Sequence, residues 1–558
     1  MKIKLLLVLF FSLFLINYAQ AAQEKKIVRV AISNQNFSNY NHQNIKLSAN
    51  GAIKLIDMSQ ALQIDTISPY KTIEVILNEA GYNVYVDNQI KYQQLAGPLI
   101  FSSNGELQIL ELNRKGMPAR YKGMIELRNV KNTLTFNVIN IVDMQNYLRG
   151  VVSNEMPISF GLEALKAQAV AARNYANNAQ INPNYDVVDS TASQVYYGAN
   201  SYKDLSDIAV AQTLGIYALY NEEPITAQYF STSAGATDDW DDVFGDGTES
   251  GKHPYLKARF DEDVKPIKNE KDAENFFKKD NIGLDVNSPK FRWEIEFDRE
   301  ELEEVLHNNL IAQSKANLVS PFYDGTIKLN GLKDIKVTKR TQSGKILELE
   351  ILSKSGDYKV KTQLGIRRVI KKNGSMLPST NFIVEHSGKE ELPETEEDRG
   401  IIKLFDFSSD DKYPKRFKFI GGGFGHGVGM SQYGASALAK EGKTYPEILN
   451  YYYSDIKIST MPKLIEYVDY NILHKSEFYF DSKIYKKAYL YINNRSNVSE
   501  FPFKINDFVF SETKHIASKR VLKVNITEYL KDGVNEVVFA PLSREDKGRY
   551  LIYRVEFQ

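Results

Sequence analysis

The sequence has no cysteine in 558 residues, and it has only two tryptophans and seven histidines. Without cysteine the chain forms no disulfide and offers no thiolate to a metal ion or to a covalent mechanism. An excess of one charge is also absent, because 70 basic residues balance 70 acidic ones. Nucleic-acid binders usually carry a basic excess, so we predict no nucleic-acid partner.

Long apolar runs are missing except at the start of the chain. Leu5 to Ile16 is apolar at all but one position, follows Lys2 and Lys4, and precedes the small-x-small sequence Ala19-Gln20-Ala21. This order is typical of a signal peptide, and the run is short for a membrane span of about 20 residues. We predict a signal peptide over 1–21, export to the periplasm or cell wall, and no transmembrane anchor after cleavage. An uncleaved N-terminal anchor is the alternative.

Hydrophobic residues make up 43% of the chain, which is enough to form packed cores. Alternation of apolar and polar residues predicts strands over most of 27–140, with one short helix at Lys71 to Ala80. The strongest helix prediction is Gly161 to Gln180, since it is rich in Ala and Leu and Pro183 follows it. Thr444 to Tyr453 is also predicted to be a helix.

The chain is predicted to have four parts. The signal peptide is followed by a β-rich region at 22–140 and a core at 141–460. Charged stretches within about 260–400 indicate either solvated loops or an inserted subdomain. Short strands at 470–558 predict a separate small β-sandwich.

Glu155 is a candidate general acid. It stands between Val151-Val152, interpreted as the end of a strand, and the turn Met156-Pro157. Cleavage of a glycosidic bond needs a carboxylic acid that is protonated near neutral pH, and an apolar setting raises the pKa of such a group by desolvation. The alternative is an ordinary turn residue that precedes the next helix.

That next helix carries polar residues on one face. Lys166, Val170 and Arg173 are spaced so that they lie on the same side. They are candidates to line a sugar groove beside Glu155. The alternative is the solvent-facing side of an amphipathic helix.

A glycine-rich segment contains six glycines within Gly421 to Gly429, around His426. It lacks the Lys-Ser/Thr of a phosphate loop and the βαβ context of a dinucleotide fingerprint. His426, with Ser431 and Gln432 at the start of the following helix, fits hydrogen bonding to a polyhydroxylated ligand. A buried tight loop with a structural histidine is the alternative.

An acidic run, Asp238 to Asp246, follows Gln228 to Gly235. Its spacing differs from that of a calcium loop, so a solvated turn is the preferred interpretation over a calcium site.

Several blocks together resemble, in the same order, the SpoIID/LytB family, known from stage II sporulation protein D and amidase-enhancer proteins. The blocks are Tyr147-Leu148-Arg149-Gly150-Val151-Val152, Glu155-Met156-Pro157, Glu163 to Arg173, Gln194-Val195-Tyr196-Tyr197-Gly198, Ser231-Thr232-Ser233, Leu377 to Phe382 and Gly425 to Gln432. The resemblance implies an α+β fold, with a β-rich core and a few helices around a glycan groove.

The resemblance also implies a lytic transglycosylase that cuts peptidoglycan glycan strands, preferably strands without stem peptides. Glu155 is then the acid/base, because the 6-hydroxyl of the sugar itself attacks C1 and no second carboxylate is needed to activate water. Residues expected to line or support the groove are Lys166, Arg173, Gln194, Tyr196, Ser231, His426, Ser431 and Gln432. The alternatives are a non-catalytic glycan-binding enhancer of a cell-wall amidase and, third, a hydrolase that leaves reducing ends.

One departure from the family concerns a metal. Some members carry cysteines just before the Gln-Val-Tyr block that hold zinc with histidine, whereas this chain has Asp189-Ser190-Thr191-Ala192-Ser193. We therefore predict no metal at that site and no cofactor. The segment 470–558 more weakly resembles galactose-binding-like sandwiches, which either bind glycan or pack on the core.

Overall fold

The computed structural model describes residues 27–245, 251–278, 282–390, 412–466, 473–494, 503–510, 521–539 and 550–558. The predicted signal peptide lies outside these residues. The chain forms two compact units: unit 1 comprises Met1–Ala227, Gly442–Leu449 and Asp455–Gln558, and unit 2 comprises Gln228–Glu441 and Asn450–Ser454. The described helices include none that is long and apolar enough to cross a membrane.

Unit 1 starts with two sheets. Their strands are β1 (Ile27–Ile32), β2 (Asn41–His42), β3 (Asn44–Ala49), β4 (Ile53–Asp57), β5 (Leu62–Ile67), β6 (Ile73–Asn78), β7 (Gly81–Val86), β8 (Gln89–Leu95), β9 (Leu99–Ser103), β10 (Leu107–Arg114), β11 (Met117–Tyr121), β12 (Met124–Asn129), β13 (Phe136–Asp143) and β14 (Val187–Val188). One sheet has the order β14-β1-β13-β12-β9-β4-β5, with β2 paired to β13, and the other has the order β11-β10-β3-β6-β7-β8.

The two sheets share a core because their strands alternate apolar and polar residues. Tyr82 of β7 packs on Phe136 of β13, with ring centroids 5.8 Å apart. The Tyr82 hydroxyl also donates to the Leu127 carbonyl of β12 at 3.1 Å. The strands predicted for 27–140 are thus present, and they form the layer from which the helices start.

The short helix predicted at Lys71 to Ala80 is wrong. The structure has β6 there, with Ile73, Val75 and Leu77 buried on one face. Asn78 pairs with Gly81 at the turn into β7. The two-residue period of the apolar side chains decides the structure of this segment.

The helices of unit 1 follow β13 directly. They are α1 (Met144–Glu155), α2 (Leu162–Asn178) and α3 (Asp204–Ala211), with a 3-10 turn at Ile158–Phe160 between the first two. The prediction of a helix at Gly161 to Gln180 is confirmed by α2. Gly161 begins it with a φ of 96°, a conformation that glycine adopts without strain.

Unit 2 has its own hydrophobic core. Its helices are α4 (Trp240–Val243), α5 (Glu270–Lys278), α6 (Arg299–Lys315), α7 (Gln363–Val369) and α8 (Gln432–Lys440). The helix predicted at Thr444 to Tyr453 is confirmed as α9 (Tyr445–Tyr452), whose residues up to Leu449 belong to unit 1 and the rest to unit 2. Its strands are β15 (Tyr229–Phe230), β16 (Trp293–Asp298), β17 (Val319–Ser320), β18 (Leu332–Arg340), β19 (Ile346–Ser353), β20 (Tyr358–Lys361), β21 (Lys371–Lys372), β22 (Ser375–Met376), β23 (Phe382–Glu390), β24 (Tyr413–Gly421) and β25 (Met430–Ser431).

The described part of the region 260–400 is folded. The sheets β16-β24-β23 and β17-β20-β19-β18 pack with α6 and α7 around Phe297, Leu306, Ile351 and Phe419. This part belongs to unit 2 together with the glycine-rich segment, and its description as an inserted subdomain stays a prediction.

The remaining strands complete unit 1. They are β26 (Ile216–Tyr220), β27 (Glu223–Pro224), β28 (Lys457–Thr460), β29 (Lys463–Glu466), β30 (His474–Phe480), β31 (Ala488–Asn494), β32 (Phe503–Ile505), β33 (Phe508–Phe510), β34 (Val521–Asn525), β35 (Gly533–Phe539) and β36 (Tyr550–Phe557). They form the sheets β27-β26-β28-β36-β31-β34, with β29 on β36, and β30-β35-β32-β33.

These two sheets pack on each other. Phe478 lies against Phe557, with centroids 5.6 Å apart, and Ser476 hydrogen-bonds the Tyr553 hydroxyl at 2.9 Å. The segment 470–558, predicted as a separate sandwich, is joined through β36 and β28 to the sheet that contains β26. The described chain is richer in strand than in helix, which confirms the predicted α+β, β-rich class.

Candidate functional site

Glu155 is the last residue of α1. The helix is capped at its start by Asp143, whose carboxylate accepts the Asn146 N–H at 3.0 Å. It is anchored by four fully buried side chains: Tyr147, Leu148, Val151 and Val152. This spacing is helical, so the prediction that Glu155 follows a strand end is wrong. Pro157 lies two residues beyond Glu155, where a helix cannot easily continue.

The Glu155 carboxylate is held by the main chain. Its Oε1 accepts the Val195 N–H at 2.5 Å. The preceding residue, Gln194, is fully buried; its Oε1 accepts the Tyr147 hydroxyl at 2.9 Å and its Nε2 donates to the Ala172 carbonyl at 3.4 Å. The structure therefore brings Glu155 and Gln194 together. Gln194 is bonded to α1 through Tyr147 and to α2 through Ala172, and these contacts hold the Val195 N–H that orients the carboxylate.

The charge of Glu155 acts on three tyrosines. Burial raises the pKa of Tyr147, Tyr175 and Tyr197, and the negative charge of Glu155 raises each pKa further. The spacing of Gln168 and Tyr175, seven residues apart on α2, already makes Tyr175 a candidate to line a groove beside Glu155. Tyr197 was not assigned to the site, although it follows Tyr196 in the family block.

Tyr196 is a fully buried support of α1. Its hydroxyl donates to Asn140 Oδ1 at 2.7 Å, and its ring lies 5.1 Å from that of Tyr147. Gly150 makes this packing possible, because a Cβ there would lie 2.5 Å from Tyr196 Cε2.

The Gly150→Ala variant is expected to unfold more easily. Alanine normally stabilises a helix interior relative to glycine by up to about 1 kcal/mol. Here the ring must move, and overpacking costs roughly 1–3 kcal/mol. The free energy of unfolding by urea measures the result, and a stabilised variant would contradict this packing.

Lys166 and Arg173, the candidate residues on α2, are buried. Lys166 is 3% exposed and pairs with Glu163 Oε1 at 2.7 Å. Arg173 is 1% exposed and donates to the Ile216 carbonyl at 2.9 Å and to the Thr213 hydroxyl at 3.3 Å. Burial lowers the pKa of Arg173 to about 10. These side chains lie inside unit 1 and not on a solvent-facing side of the helix, and they fasten α2 to its neighbours.

The remaining candidates, Ser231, His426, Ser431 and Gln432, lie in unit 2. His426 Nε2 donates to the Tyr229 carbonyl at 3.0 Å, and its Nδ1 accepts the Val428 N–H at 3.1 Å. Burial, together with the positive charge of Lys345, lowers the pKa of His426 to about 4. The ring is therefore neutral with both nitrogens bonded to the main chain, which is the arrangement of a structural histidine in a tight loop.

Ser431 and Gln432 begin α8 and are buried. Ser431 Oγ accepts the Gly434 N–H and donates to Asp285 Oδ2 at 2.6 Å. The same Asp285 oxygen accepts the Ser233 N–H at 2.5 Å. Asp285 therefore joins the start of α8 to the segment that contains half-buried Ser231. Asp285 was missed because nothing in the surrounding sequence marks it.

Asp285 should make folding pH-dependent. Burial raises its pKa to about 7, above the ordinary value of about 3.9. The folded state binds this proton more tightly than the unfolded state, so the stabilisation is full below about pH 4 and is lost as pH rises to about 7. From pH 5 to pH 8 the wild-type protein should lose up to about 3 kcal/mol more unfolding free energy than Asp285→Asn. An identical pH dependence of the two proteins in urea titrations would contradict this assignment.

Asp238, the first residue of the acidic run, is not in a solvated turn. It is 1% exposed and lies 3.7 Å from Nζ of Lys345, which is equally buried. Thr341 Oγ1 donates to its Oδ1 at 2.7 Å. A Cβ on Gly427 would lie 2.7 Å from both Asp238 Oδ2 and Lys345 Cε, so the glycine loop rests directly on this ion pair.

Acidic and histidine side chains do not gather into a metal-binding group in the described part of the chain. Just before the Gln-Val-Tyr block, Asp189 forms a fully buried ion pair with Arg114 at 3.1 Å. The absence of zinc stays a prediction.

Comparison with known proteins finds a family match for the segment around Glu155. Residues 132–220, which include every candidate residue of unit 1, match the family of stage II sporulation protein, SpoIID. The chain carries a SpoIID domain. The resemblance to the SpoIID/LytB family is thereby confirmed. Residues 242–429 match a domain family of unknown function, DUF8618.

Two relatives of this SpoIID-domain protein come from Bacillus subtilis (strain 168). An amidase enhancer is 31% identical over 319 residues, which cover 55% of this chain and 39% of that protein. Stage II sporulation protein D is 29% identical over 352 residues, covering 59% of this chain and 78% of that protein. The chain thus spans well under half the length of the amidase enhancer.

Proposed function

We propose that the protein is a lytic transglycosylase that cleaves peptidoglycan glycan strands, preferably those without stem peptides, and leaves 1,6-anhydro-muramyl ends. The observation that carries the proposal is Glu155, a half-buried carboxylate at the end of α1 whose Oε1 is fixed by the Val195 N–H. It lies within the SpoIID domain.

A single carboxylate suffices for this reaction. Protonated Glu155 gives its proton to the glycosidic oxygen as the bond to C1 breaks. The resulting carboxylate then accepts the proton of the sugar's 6-hydroxyl as that oxygen bonds to C1. Hydrolytic glycosidases need a second acid to activate water or to form a covalent intermediate, and this transfer needs neither.

The other candidate residues act mainly as positioning residues in this proposal. Gln194 and Tyr196 hold the segment that bears the Val195 N–H, and Lys166 and Arg173 hold α2. Ser231, His426, Ser431 and Gln432 shape the glycine loop in unit 2, and their assignment to substrate binding stays a proposal.

Export to the periplasm or cell wall belongs to the same proposal, because the substrate lies there.

A second candidate function is favoured by the similarity to the protein named amidase enhancer. In that function the chain binds glycan strands without cutting them and stimulates a cell-wall amidase.

Digestion of purified denuded glycan strands distinguishes the two functions. The transglycosylase should release fragments with 1,6-anhydro ends, detected by mass spectrometry, without any partner. Binding to the strands without release of fragments, together with faster peptide removal by an added amidase, would instead support the enhancer.

A further inference from the structure

Unit 2 contains a cavity of about 600 Å³ whose lining includes none of the candidate site residues described above. It is lined on one side by Asn309 and Gln313 of α6 and on another by Arg367, Arg368 and Lys371, at and just after the end of α7. Phe424 of the glycine-rich loop lies in its wall. Cationic, amide and aromatic groups therefore converge on one space.

The cations of this cavity are not neutralised. Among the described residues, the side chains of Arg368 and Lys371 have no ion-pair or hydrogen-bond partner, in contrast to the adjacent Lys372, which pairs with Glu301 at 2.6 Å. Arg367 donates through Nε to the Leu377 carbonyl at 2.7 Å, and burial lowers its pKa. Three positive charges that share a cavity without a carboxylate favour an anionic ligand.

The amide side also has unused hydrogen-bonding capacity. Gln313 is 9% exposed, and its Oε1 is buried without a hydrogen-bond partner in the described residues. A buried acceptor without a partner is costly, and a hydroxyl or amide of a ligand would satisfy it.

Phe424 gives the cavity an apolar surface. Its side chain is 44% exposed although it lies between Gly423 and Gly425, whose φ angles are 83° and 114°. The Gly425 N–H donates to the Pro378 carbonyl at 3.0 Å, one residue beyond the carbonyl that holds Arg367. The ring and the guanidinium are thus fixed by the same short stretch of backbone, as in a pre-formed site.

We propose that this cavity binds the free carboxylate of an acidic sugar in a glycan strand, with Phe424 against the sugar ring. Arginine binds carboxylates with strong charge-assisted hydrogen bonds, and an aromatic face covers the apolar side of a pyranose ring. The inference rests on the proposed function in taking the glycan strand as the ligand. A muramic acid without its stem peptide has a free lactyl carboxylate, whereas an attached peptide converts that group into a neutral amide. The cavity would therefore select denuded strands.

The test measures binding and does not depend on cleavage. The full chain with Glu155→Gln is titrated with fluorescently labelled denuded oligosaccharides, either intact or with their carboxyl groups reduced to alcohols. Adding Arg368→Gln and Lys371→Gln should weaken binding of the intact ligand about tenfold or more. It should leave binding of the reduced ligand nearly unchanged. Lys361→Gln, which removes an exposed charge elsewhere in unit 2, is the matched control and should have no effect.

Three results would overturn the inference: no loss with the double substitution, an equal loss for the reduced ligand, or displacement of the glycan by poly(glycerol phosphate) at lower concentration than by intact oligosaccharide. Phe424→Ala should weaken both ligands, because it removes a contact to the ring and not to the carboxylate. If the wild-type protein yields no anhydro products while this selectivity is present, the proposed cleavage fails and the carboxylate site stands.

Discussion

The Glu155→Gln variant is expected to lose glycan-cleaving activity by a factor of at least about 10²–10⁴, the range that general acid–base catalysis contributes. Glutamine has the same shape, and its Oε1 can still accept the Val195 N–H, but it cannot transfer a proton. The initial rate of soluble fragment release from denuded strands measures the effect.

Asp204→Asn is the matched control for this substitution. Asp204 is an exposed carboxylate in the first turn of α3, within the same SpoIID domain. Its loss should leave the rate unchanged. Equal rates for Glu155→Gln and the wild-type protein, with both folded by circular dichroism, would remove Glu155 from the reaction.

The Lys345→Met variant is expected to lose about 3–5 kcal/mol of unfolding free energy, the usual cost of leaving a buried charge without its partner. Burial raises the pKa of Asp238 and lowers that of Lys345, so each charge depends on the other. The variant also loses the hydrogen bond from Lys345 Nζ to Asn381 Oδ1 at 3.1 Å. Urea unfolding of the full chain gives the free energy.

A double variant distinguishes the contribution of the ion pair to stability from that of side-chain packing. Asp238→Asn together with Lys345→Met removes both charges and should recover part of the stability that Lys345→Met loses. If the double variant instead loses as much unfolding free energy as Asp238→Asn and Lys345→Met lose separately, the two charges are not coupled. The contact beneath Gly427 then does not act as an ion pair.

Local patterns explain what the sequence could predict. The Ala- and Leu-rich stretch that became α2 and the alternation in strands such as β3 and β10 arise from neighbouring residues. The sequence predicts Glu155 as the candidate acid, but the segment before it is a helix and not the predicted strand end. Val151-Val152 suits either element, and only the helical spacing from Tyr147 decides between them.

Long-range contacts explain what it could not predict. Asp285 meets Ser431, and Asp238 meets Lys345, across stretches of chain that no local pattern connects. Arg173 resembles a surface residue in an amphipathic pattern, yet it is buried against the Ile216 carbonyl because β26 covers that side of α2. The same folding places His426 with both ring nitrogens on main-chain groups, a structural contact that its glycine-rich setting did not predict.

The central claim is intramolecular transfer at Glu155, and digestion of denuded strands in water enriched in ¹⁸O tests it most directly. If the 6-hydroxyl of the sugar attacks C1, the new muramyl ends contain no solvent oxygen and are lighter than hydrolysed ends by one water. The account predicts fragments without ¹⁸O from the wild-type protein and almost no fragments from Glu155→Gln. New ends that carry ¹⁸O would show hydrolysis and contradict it.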